Sequence, residues 1–227
     1  MKISILTSKN HPFFGFFLSK IEKEIHIDSA IIDEKNFSQK DMNLWVERTS
    51  NRIQTLKVNK TNDRKLFFVK NHNDEETATI VEKRGIDLLI NLGTPRILKG
   101  PIINSPTIGI LNCHPGILPD YRGCTCVEWA LYNNDPVGNT CHLMTEEIDS
   151  GPIIYKNQIE IEANDSYQDI RIKVYLDSVE SIIRSIRKLK ENKKNNFFSE
   201  TGGQYYRPIP DEKLNKVFLK YKNENRN

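Results

Sequence analysis

Residues 87–92 read DLLINL, a continuous apolar run that is typical of a β-strand covered on both faces. The segment before it, NDEETATIVEKR at residues 73–84, opens with acidic residues and closes with basic ones, as in a helix whose charges match its dipole. Gly85 then supplies a helix stop signal. Three earlier runs also have the character of strands: KISILT (2–7), DSAIID (28–33) and KLFFVK (65–70). Helix-like segments separate these runs. The alternation predicts an α/β fold with a doubly wound, mostly parallel, Rossmann-like sheet.

The second half of the chain continues this pattern. The expected elements are, in order, a strand over GILN (109–112), a loop CHPGILPDYRG (113–123), a helix over CTCVEWALYNN (124–134), strands at 138–145 and 152–161 around a loop at 146–151, and a long amphipathic helix at 166–190. The tail at 195–227 is predicted to hold turns and a short terminal helix. We therefore predict a main domain at residues 1–190 and a short C-terminal appendage at 191–227.

Composition excludes several classes of protein. The chain has 227 residues, of which 37% are hydrophobic and 28% are charged, with 33 Lys and Arg against 30 Asp and Glu. This near balance excludes an acidic solvating tail and a polybasic coat. No stretch approaches the roughly 18 consecutive apolar residues of a membrane span, and the N-terminus MKISILTSKN lacks the features of an export signal. We expect a cytoplasmic protein with no membrane span.

The basic charge is concentrated near the C-terminus. Residues 184–227 contain 12 Lys and Arg against 5 Asp and Glu. A basic segment can bind nucleic acid, but here its charges lie on a segment with helical spacing and few interleaved aromatic residues. We interpret it as a solvated helix face and expect no nucleic-acid partner, while attraction to a phosphorylated small molecule or an anionic surface stays open.

Four cysteines lie in the middle of the chain: Cys113, Cys124, Cys126 and Cys141. Without an export signal, disulfides are not expected. His114 and His142 follow two of them, so a zinc site has to be considered. The spacing Cys-x-Cys and the lack of a second paired motif disfavour it, and we predict no metal.

Three loops after predicted strands are candidate ligand sites, because ligands of doubly wound sheets bind beyond the carboxyl ends of the strands. They are residues 8–15, 93–100 and 113–123. The first lacks the G-x-G-x-x-G pattern, which disfavours a dinucleotide-binding site.

A possible catalytic set surrounds the third loop. Asn112 and His114 are two positions apart in extended chain, so their side chains point the same way, and Asp149 lies in a later loop. An amide can hold an oxyanion, an imidazole can move a proton, and a carboxylate can orient the imidazole. Cys113 points to the other side of the strand and is not favoured as a nucleophile. Taken singly, each residue also fits an ordinary core or turn position.

The surrounding motifs, NCHPGILPDYRG (112–123) and IDSGPII (148–154), resemble those of the enzymes that transfer a formyl group from 10-formyltetrahydrofolate to an amine. The resemblance covers residues 91–162 and implies that Asn112, His114 and Asp149 are catalytic, with residues 1–190 as the catalytic domain. It also implies a pterin site made of main chain at two segments. These segments are Arg96-Ile97-Leu98 and Thr145-Glu146-Glu147-Ile148.

The acceptor of the formyl group is inferred by comparing this chain with the known groups of formyltransferases. The loop SKNHPFFG (8–15) lacks the Gly- and Ser-rich phosphate loop of glycinamide ribonucleotide formyltransferases, and the tail is too short for the barrel of methionyl-tRNA formyltransferases. The chain most resembles short sugar N-formyltransferases that act on dTDP-4-amino-4,6-dideoxyhexoses for surface polysaccharide such as O-antigen. This implies a nucleotide-sugar substrate, dTDP-4-amino-4,6-dideoxyglucose as first choice, and a homodimer. A phosphoribosylglycinamide formyltransferase of purine synthesis, and a catalytically silent folate- or nucleic-acid-binding module, remain the alternatives.

Several residues are candidates to meet pyrophosphate or to stack on a base. They are Lys9, Asn10, Tyr121, Arg122 and the cluster Tyr205-Tyr206-Arg207, of which Tyr205 is preferred. The aromatic residues of the tail, Phe197, Phe198, Tyr205 and Tyr206, are candidates for a dimer contact.

Overall fold

The computed structural model describes residues 1–56, 65–191, 197, 199–200 and 202–222. Its strands are β1 (Ile3–Lys9), β2 (Ser29–Asn36), β3 (Lys65–Val69), β4 (Leu88–Leu92), β5 (Gly109–His114), β6 (Tyr121–Gly123), β7 (Gly138–Leu143), β8 (Ile153–Gln158) and β9 (Gln204–Tyr206). Its helices are α1 (Phe14–Ile21), α2 (Gln39–Thr49), α3 (Glu75–Arg84), α4 (Pro101–Asn104), α5 (Cys126–Asn133), α6 (Tyr167–Glu191) and α7 (Asp211–Lys220). No helix among these residues is both long enough and apolar enough to span a bilayer.

Seven strands form the central sheet in the order β3-β2-β1-β4-β5-β7-β8. The pairs β1–β2, β2–β3, β1–β4 and β4–β5 are parallel, and β7–β8 is antiparallel. The predicted α/β fold with a mostly parallel sheet is confirmed. Parallel strands place their carboxyl ends at one edge, so the loops after β1 and β4 lie at the same edge of the sheet.

The chain forms two compact units. The N-terminal unit contains residues 1–45, 53–112 and 143–146, and the C-terminal unit contains 46–52, 113–142 and 147–227. The predicted division near residue 190 stays a prediction.

The core of the N-terminal unit is built on β4. Leu88, Leu89 and Ile90 are fully buried, as expected of a strand covered on both faces. Helix α3 ends where it was predicted to end, because Gly85 adopts the left-handed conformation (φ 61°) and its N–H bonds back to Glu82 and Val81. Leu89 packs in one apolar cluster with residues of β1, β2, β5 and α3: Leu6, Ile31, Ile110 and Val81.

The core of the C-terminal unit forms around α5 and α6. Val127, Ala130 and Leu131 are buried as predicted, and so are the apolar residues of α6 that were expected to pack: Ile170, Val174, Val179, Ile182, Ile186 and Leu189. Tyr206 and Val217, from the C-terminal tail, belong to the same apolar cluster as α5.

Three short elements were not predicted: α4, β6 and β9. The end of the loop at 113–123 forms β6, which pairs in parallel with β9 of the tail. Each of these strands has three residues, too few to show a period along the sequence, and the pairing joins segments about eighty residues apart. The predicted terminal helix is confirmed as α7, while Phe198 lies outside the described residues.

A buried charge holds α5 in the C-terminal unit. Glu128 is 1% exposed, and its Oε1 lies 3.3 Å from Arg48 Nη2 and 3.7 Å from Arg171 Nη1. The Tyr167 hydroxyl donates to the same oxygen at 2.7 Å. Burial alone would raise the pKa of this carboxyl, but Arg171, Arg48 and Tyr167 together lower the pKa to about 2.

Glu128→Gln should therefore destabilise the protein at neutral pH by about 3 kcal/mol, because it leaves two buried guanidinium groups without their carboxylate. The pKa of Glu128 is lowered on folding, so its contribution is complete above the ordinary value of 4.5 and is lost as the pH falls through about 2. Urea unfolding at several pH values should show the difference from wild type shrinking in acid. Glu212→Gln in α7, which removes an exposed partner of Lys216, is the control. Equal losses in both variants would contradict the role of the buried network.

Candidate active site

Strand β5 carries the Asn and His of the predicted catalytic set. It extends two residues beyond the predicted GILN and ends at His114. Asn112 and His114 therefore alternate with Cys113 along one strand, as inferred from their spacing. The hydrogen bond to the Cys141 thiol and burial raise the pKa of the Cys113 thiol, which disfavours a thiolate nucleophile.

The hydrogen bonds of His114 fix its tautomer. Its side chain is buried, and Nε2 lies 2.7 Å from the main-chain carbonyl oxygen of Tyr121. A carbonyl can only accept, so Nε2 carries the hydrogen and, in the neutral ring, the lone pair is on Nδ1. Nδ1 lies 3.4 Å from Asp149 Oδ2. Burial lowers the pKa of His114, against the opposing charge of Asp149, so the ring is a neutral base at pH 7 with its basic nitrogen beside a carboxylate.

Three groups of the C-terminal unit surround the Asp149 carboxylate. The Gly123 N–H donates to its Oδ2 at 2.9 Å, His114 faces the same oxygen, and His142 Nε2 lies 3.6 Å from Oδ1. Asp149 has a φ of 51°, in the left-handed region that few residues other than glycine adopt. Burial raises the pKa of this carboxyl, but the hydrogen bond of His142, the charge of His114 and the Gly123 N–H outweigh it and lower the pKa. Asp149 is therefore ionised at neutral pH.

His142 was missed as a site residue by sequence reasoning, which considered it only for zinc. Its place in the strand that leads into the Asp149 loop was the available signal. Within the described part of the chain, no group of three His, Cys, Asp or Glu side chains could hold a metal ion, and the four cysteines are free thiols.

The turn after β5 is fixed by its neighbours. A Cβ at Gly116 would lie 2.8 Å from both His114 Nε2 and the Tyr121 carbonyl oxygen, so a larger residue would disturb that hydrogen bond. The Thr140 hydroxyl donates to the Gly116 carbonyl at 2.7 Å and accepts from the Leu118 N–H at 3.0 Å. A single side chain of β7 thus sets the path of the loop that follows His114.

The formyl transferase family model matches residues 1–186. The chain belongs to this family. The predicted family is therefore confirmed, and members of this family use 10-formyltetrahydrofolate as formyl donor.

The curated relatives of this chain include proteins of two kinds. The bifunctional polymyxin resistance protein ArnA of Wigglesworthia glossinidia brevipalpis is 30% identical over 131 residues, 57% of this chain and 20% of that protein. The methionyl-tRNA formyltransferase of Clostridium tetani is 27% identical over 149 residues, 65% of this chain and 48% of that protein. The chain spans about half the length, or less, of these curated relatives.

Solved structures of the same fold include two enzyme types. A sugar N-formyltransferase from Shewanella superposes with a TM-score of 0.61 at 18% identity, covering 97% of this chain and 88% of that one. A phosphoribosylglycinamide formyltransferase from Anaplasma phagocytophilum gives 0.62 at 18% identity, covering 92% and 96%. At these identities the similarity establishes the fold.

The first segment that the family resemblance assigns to folate is held rigidly in the N-terminal unit. Arg96 Nε donates to Asp33 Oδ2 at 2.7 Å, and its Nη2 donates to the Lys70 carbonyl at 3.0 Å. The Asn73 side chain accepts from the Lys99 N–H at 2.9 Å and donates to the Ile97 carbonyl at 3.0 Å. The Ile97 side chain is 60% exposed, whereas Leu98 is buried. Side-chain hydrogen bonds therefore hold the main chain on both sides of Ile97.

The second folate segment, Thr145 to Ile148, is exposed. In the C-terminal unit, Arg122 Nη2 donates to Glu147 Oε1 and to the Ile148 carbonyl, both at 2.9 Å. The hydrogen bond and charge of Arg122 lower the pKa of Glu147. Arg122, predicted as a substrate residue, thus also supports the loop that leads to Asp149.

The structure brings two candidate substrate residues together. Arg122 of β6 and Tyr205 of β9 are direct partners in the parallel pair, and the Tyr205 side chain is half exposed. Lys9 ends β1 and Asn10 follows it. Both are exposed, and they line a cavity of about 480 Å³ with Phe14 and other residues of the N-terminal unit.

Tyr121 is placed differently from the expectation that its ring meets substrate. The side chain is 5% exposed, its ring stacks on Tyr206 at 4.9 Å, and its hydroxyl donates to Asp135. The ring is part of the core, and Tyr121 contributes to the site through its main-chain carbonyl.

The charge of Asp149 opposes the effect of burial on His114, so removing it should lower the His114 pKa further. We expect an NMR titration to give a His114 pKa below 6.5 with the neutral ring protonated at Nε2, and a lower pKa in Asp149→Asn. Glu147→Gln, which removes an exposed carboxylate two residues away, should leave the value unchanged. A higher pKa in Asp149→Asn, or a hydrogen on Nδ1 of the neutral ring, would contradict this geometry.

Proposed function

We propose that the chain is an N-formyltransferase that moves the formyl group of 10-formyltetrahydrofolate to the amine of a nucleotide-linked amino sugar. The first-choice substrate is dTDP-4-amino-4,6-dideoxyglucose, for surface polysaccharide such as O-antigen. The observation that carries the acceptor assignment is the pairing of Arg122 with Tyr205 in β6 and β9. A guanidinium suits a pyrophosphate, and a half-exposed aromatic ring on the paired strand suits a base.

The C-terminal tail supports the same acceptor. It supplies β9, and a sugar N-formyltransferase from Shewanella and a 4-N formyltransferase from Francisella tularensis superpose over 97% and 96% of this chain. A homodimer formed with the tail belongs to the proposal. Phosphoribosylglycinamide formylation is the second candidate, since structures of those enzymes superpose equally well.

The proposed reaction assigns one role to each polar residue of the catalytic set. The amine nitrogen bonds the formyl carbon as the bond from that carbon to the folate nitrogen breaks. His114 accepts the amine proton at Nδ1 and returns it to the leaving nitrogen. Asn112 donates to the formyl oxygen as that oxygen gains negative charge, and the ionised Asp149 stabilises the imidazolium that forms beside it. Atoms and charges balance without a further reactant.

The folate assignment rests on main chain. A pterin presents a fixed edge of donors and acceptors, which rigid main-chain groups can match. Asp33 accepts from the guanidinium of Arg96, and the Asn73 side chain donates to the Ile97 carbonyl. These two bonds hold the segment at residues 96–98. The donor set therefore fits a neutral, polar heterocycle.

Isothermal titration calorimetry tests the acceptor. With a non-transferable folate present, we expect dTDP-amino sugars to bind, UDP-amino sugars to bind more weakly, and glycinamide ribonucleotide not to bind. Tyr205→Ala should weaken the binding of nucleotide sugar by roughly tenfold, the cost of about one stacking contact. Tyr132→Ala, also an aromatic residue of the C-terminal unit, is the matched control. Binding of glycinamide ribonucleotide alone would replace the first candidate with the second.

A second experiment tests the folate segment. Asp33→Asn removes the partner of Arg96 and should raise the Kd of the non-transferable folate by roughly tenfold, because the segment loses its fixed position. Asp28→Asn is a matched control, since it breaks a similar carboxylate–guanidinium pair with Arg84 just before β2, at the other end of that strand. Both variants should lose some stability, but only Asp33→Asn should weaken folate. Equal folate affinities in the two variants would contradict the assignment.

A further inference from the structure

Asn91 is a polar residue in an otherwise apolar strand. It lies in β4, between Ile90 and Leu92, and it is the register partner of Asn112 across the parallel pair of β4 and β5. Its Nδ2 donates to Asn112 Oδ1 at 2.9 Å. A polar side chain at this position interrupts the apolar run. Its hydrogen-bond partners indicate why the strand carries an amide here.

The orientation of both amides follows from one main-chain group. The Thr94 N–H, which can only donate, points to the Asn91 side chain at 3.3 Å. The atom of Asn91 that accepts is therefore its oxygen, and the atom that faces Asn112 is its amino group. Asn112 must in turn present its oxygen to Asn91. The N–H of Thr94 thus sets the direction of two successive side-chain amides.

We infer that Asn91 is a positioning residue that sets the amide orientation of Asn112 for catalysis. The inference rests on the proposed function, in which Asn112 donates to the formyl oxygen. Because the amide oxygen of Asn112 is directed to Asn91, its amino group is the end that can donate to a developing oxyanion. With the amide reversed, its oxygen would face that negative charge and oppose the reaction.

The same hydrogen bonds connect this residue to the folate segment. The Thr94 hydroxyl donates to the Arg96 carbonyl at 3.1 Å, so Thr94 contacts Asn91 with its N–H and Arg96 with its side chain. The turn after β4 thereby fixes the proposed donor site and the orientation of Asn112 together, within one unit of the chain.

Asn91→Asp tests the inference with an isosteric change. A carboxylate still accepts from Thr94 but cannot donate to Asn112, so the Asn112 amide should reverse and donate to it instead. We expect kcat to fall by about 10- to 100-fold, somewhat less than the loss typical for removal of an oxyanion donor, with the Kd of the non-transferable folate unchanged. Asn91→Leu holds Asn112 in neither orientation, so its kcat should fall less. This variant replaces Asn91→Asp in the test if the latter does not fold.

A double-mutant cycle separates positioning from a structural effect. In an Asn112→Ala background, Asn91→Asp should cause no further loss of kcat, because the group it orients is gone. Ser29→Ala is the matched control, since it removes a buried side-chain hydrogen bond between registered partners of β1 and β2 in the same unit. It should lower stability and leave kcat unchanged. Multiplicative losses in the cycle, or a normal kcat in Asn91→Asp, would overturn the inference. A normal kcat in Asn112→Ala would instead overturn the proposed role of Asn112.

Discussion

The buried carboxylate of Asp149 is the group on which the site depends. A charged side chain removed from water must find donors or cations. Asp149 accepts from the Gly123 N–H and lies close to His142, and His114 becomes a cation beside it when Nδ1 takes up a proton. These partners come from β6, the end of β5 and β7 of the C-terminal unit. Satisfying one carboxylate therefore fixes three segments at once, and it explains why Asp149 keeps a left-handed backbone conformation.

The proposed catalytic chemistry follows from which donor and acceptor atoms already have hydrogen-bond partners. The Tyr121 carbonyl takes the Nε2 hydrogen of His114, which leaves Nδ1 as the base and places it beside a fixed negative charge. In the N-terminal unit, the Thr94 N–H fixes Asn91, and Asn91 fixes Asn112. In both cases a main-chain group decides the orientation of a side chain, so the polar groups need little reorganisation when charge develops.

Much of this arrangement could be predicted from sequence where the signal is local. DLLINL is a buried strand because its residues other than Asp87 and Asn91 are apolar, and α3 ends at Gly85 because glycine tolerates a positive φ. The motifs around Asn112, His114 and Asp149 supported their prediction as a catalytic set. Other features have no local signal. β6 and β9 are three residues each and meet across about eighty residues, and β9 brings Tyr206 into a stacking contact with the Tyr121 ring. Asn91 and His142 are single polar residues within strands, and their partners are known only once the strands and the Asp149 loop are placed.

The central claim is that His114, supported by Asp149, passes a proton while a formyl group moves from folate to a sugar amine. The most direct test is a single-turnover reaction with 10-formyltetrahydrofolate carrying an isotopically labelled formyl carbon and dTDP-4-amino-4,6-dideoxyglucose, with the sugar product analysed by mass spectrometry. The wild-type protein should place the label on the sugar amine, and His114→Asn should do so far more slowly. An unlabelled sugar, or equal rates for the two proteins, would contradict the account.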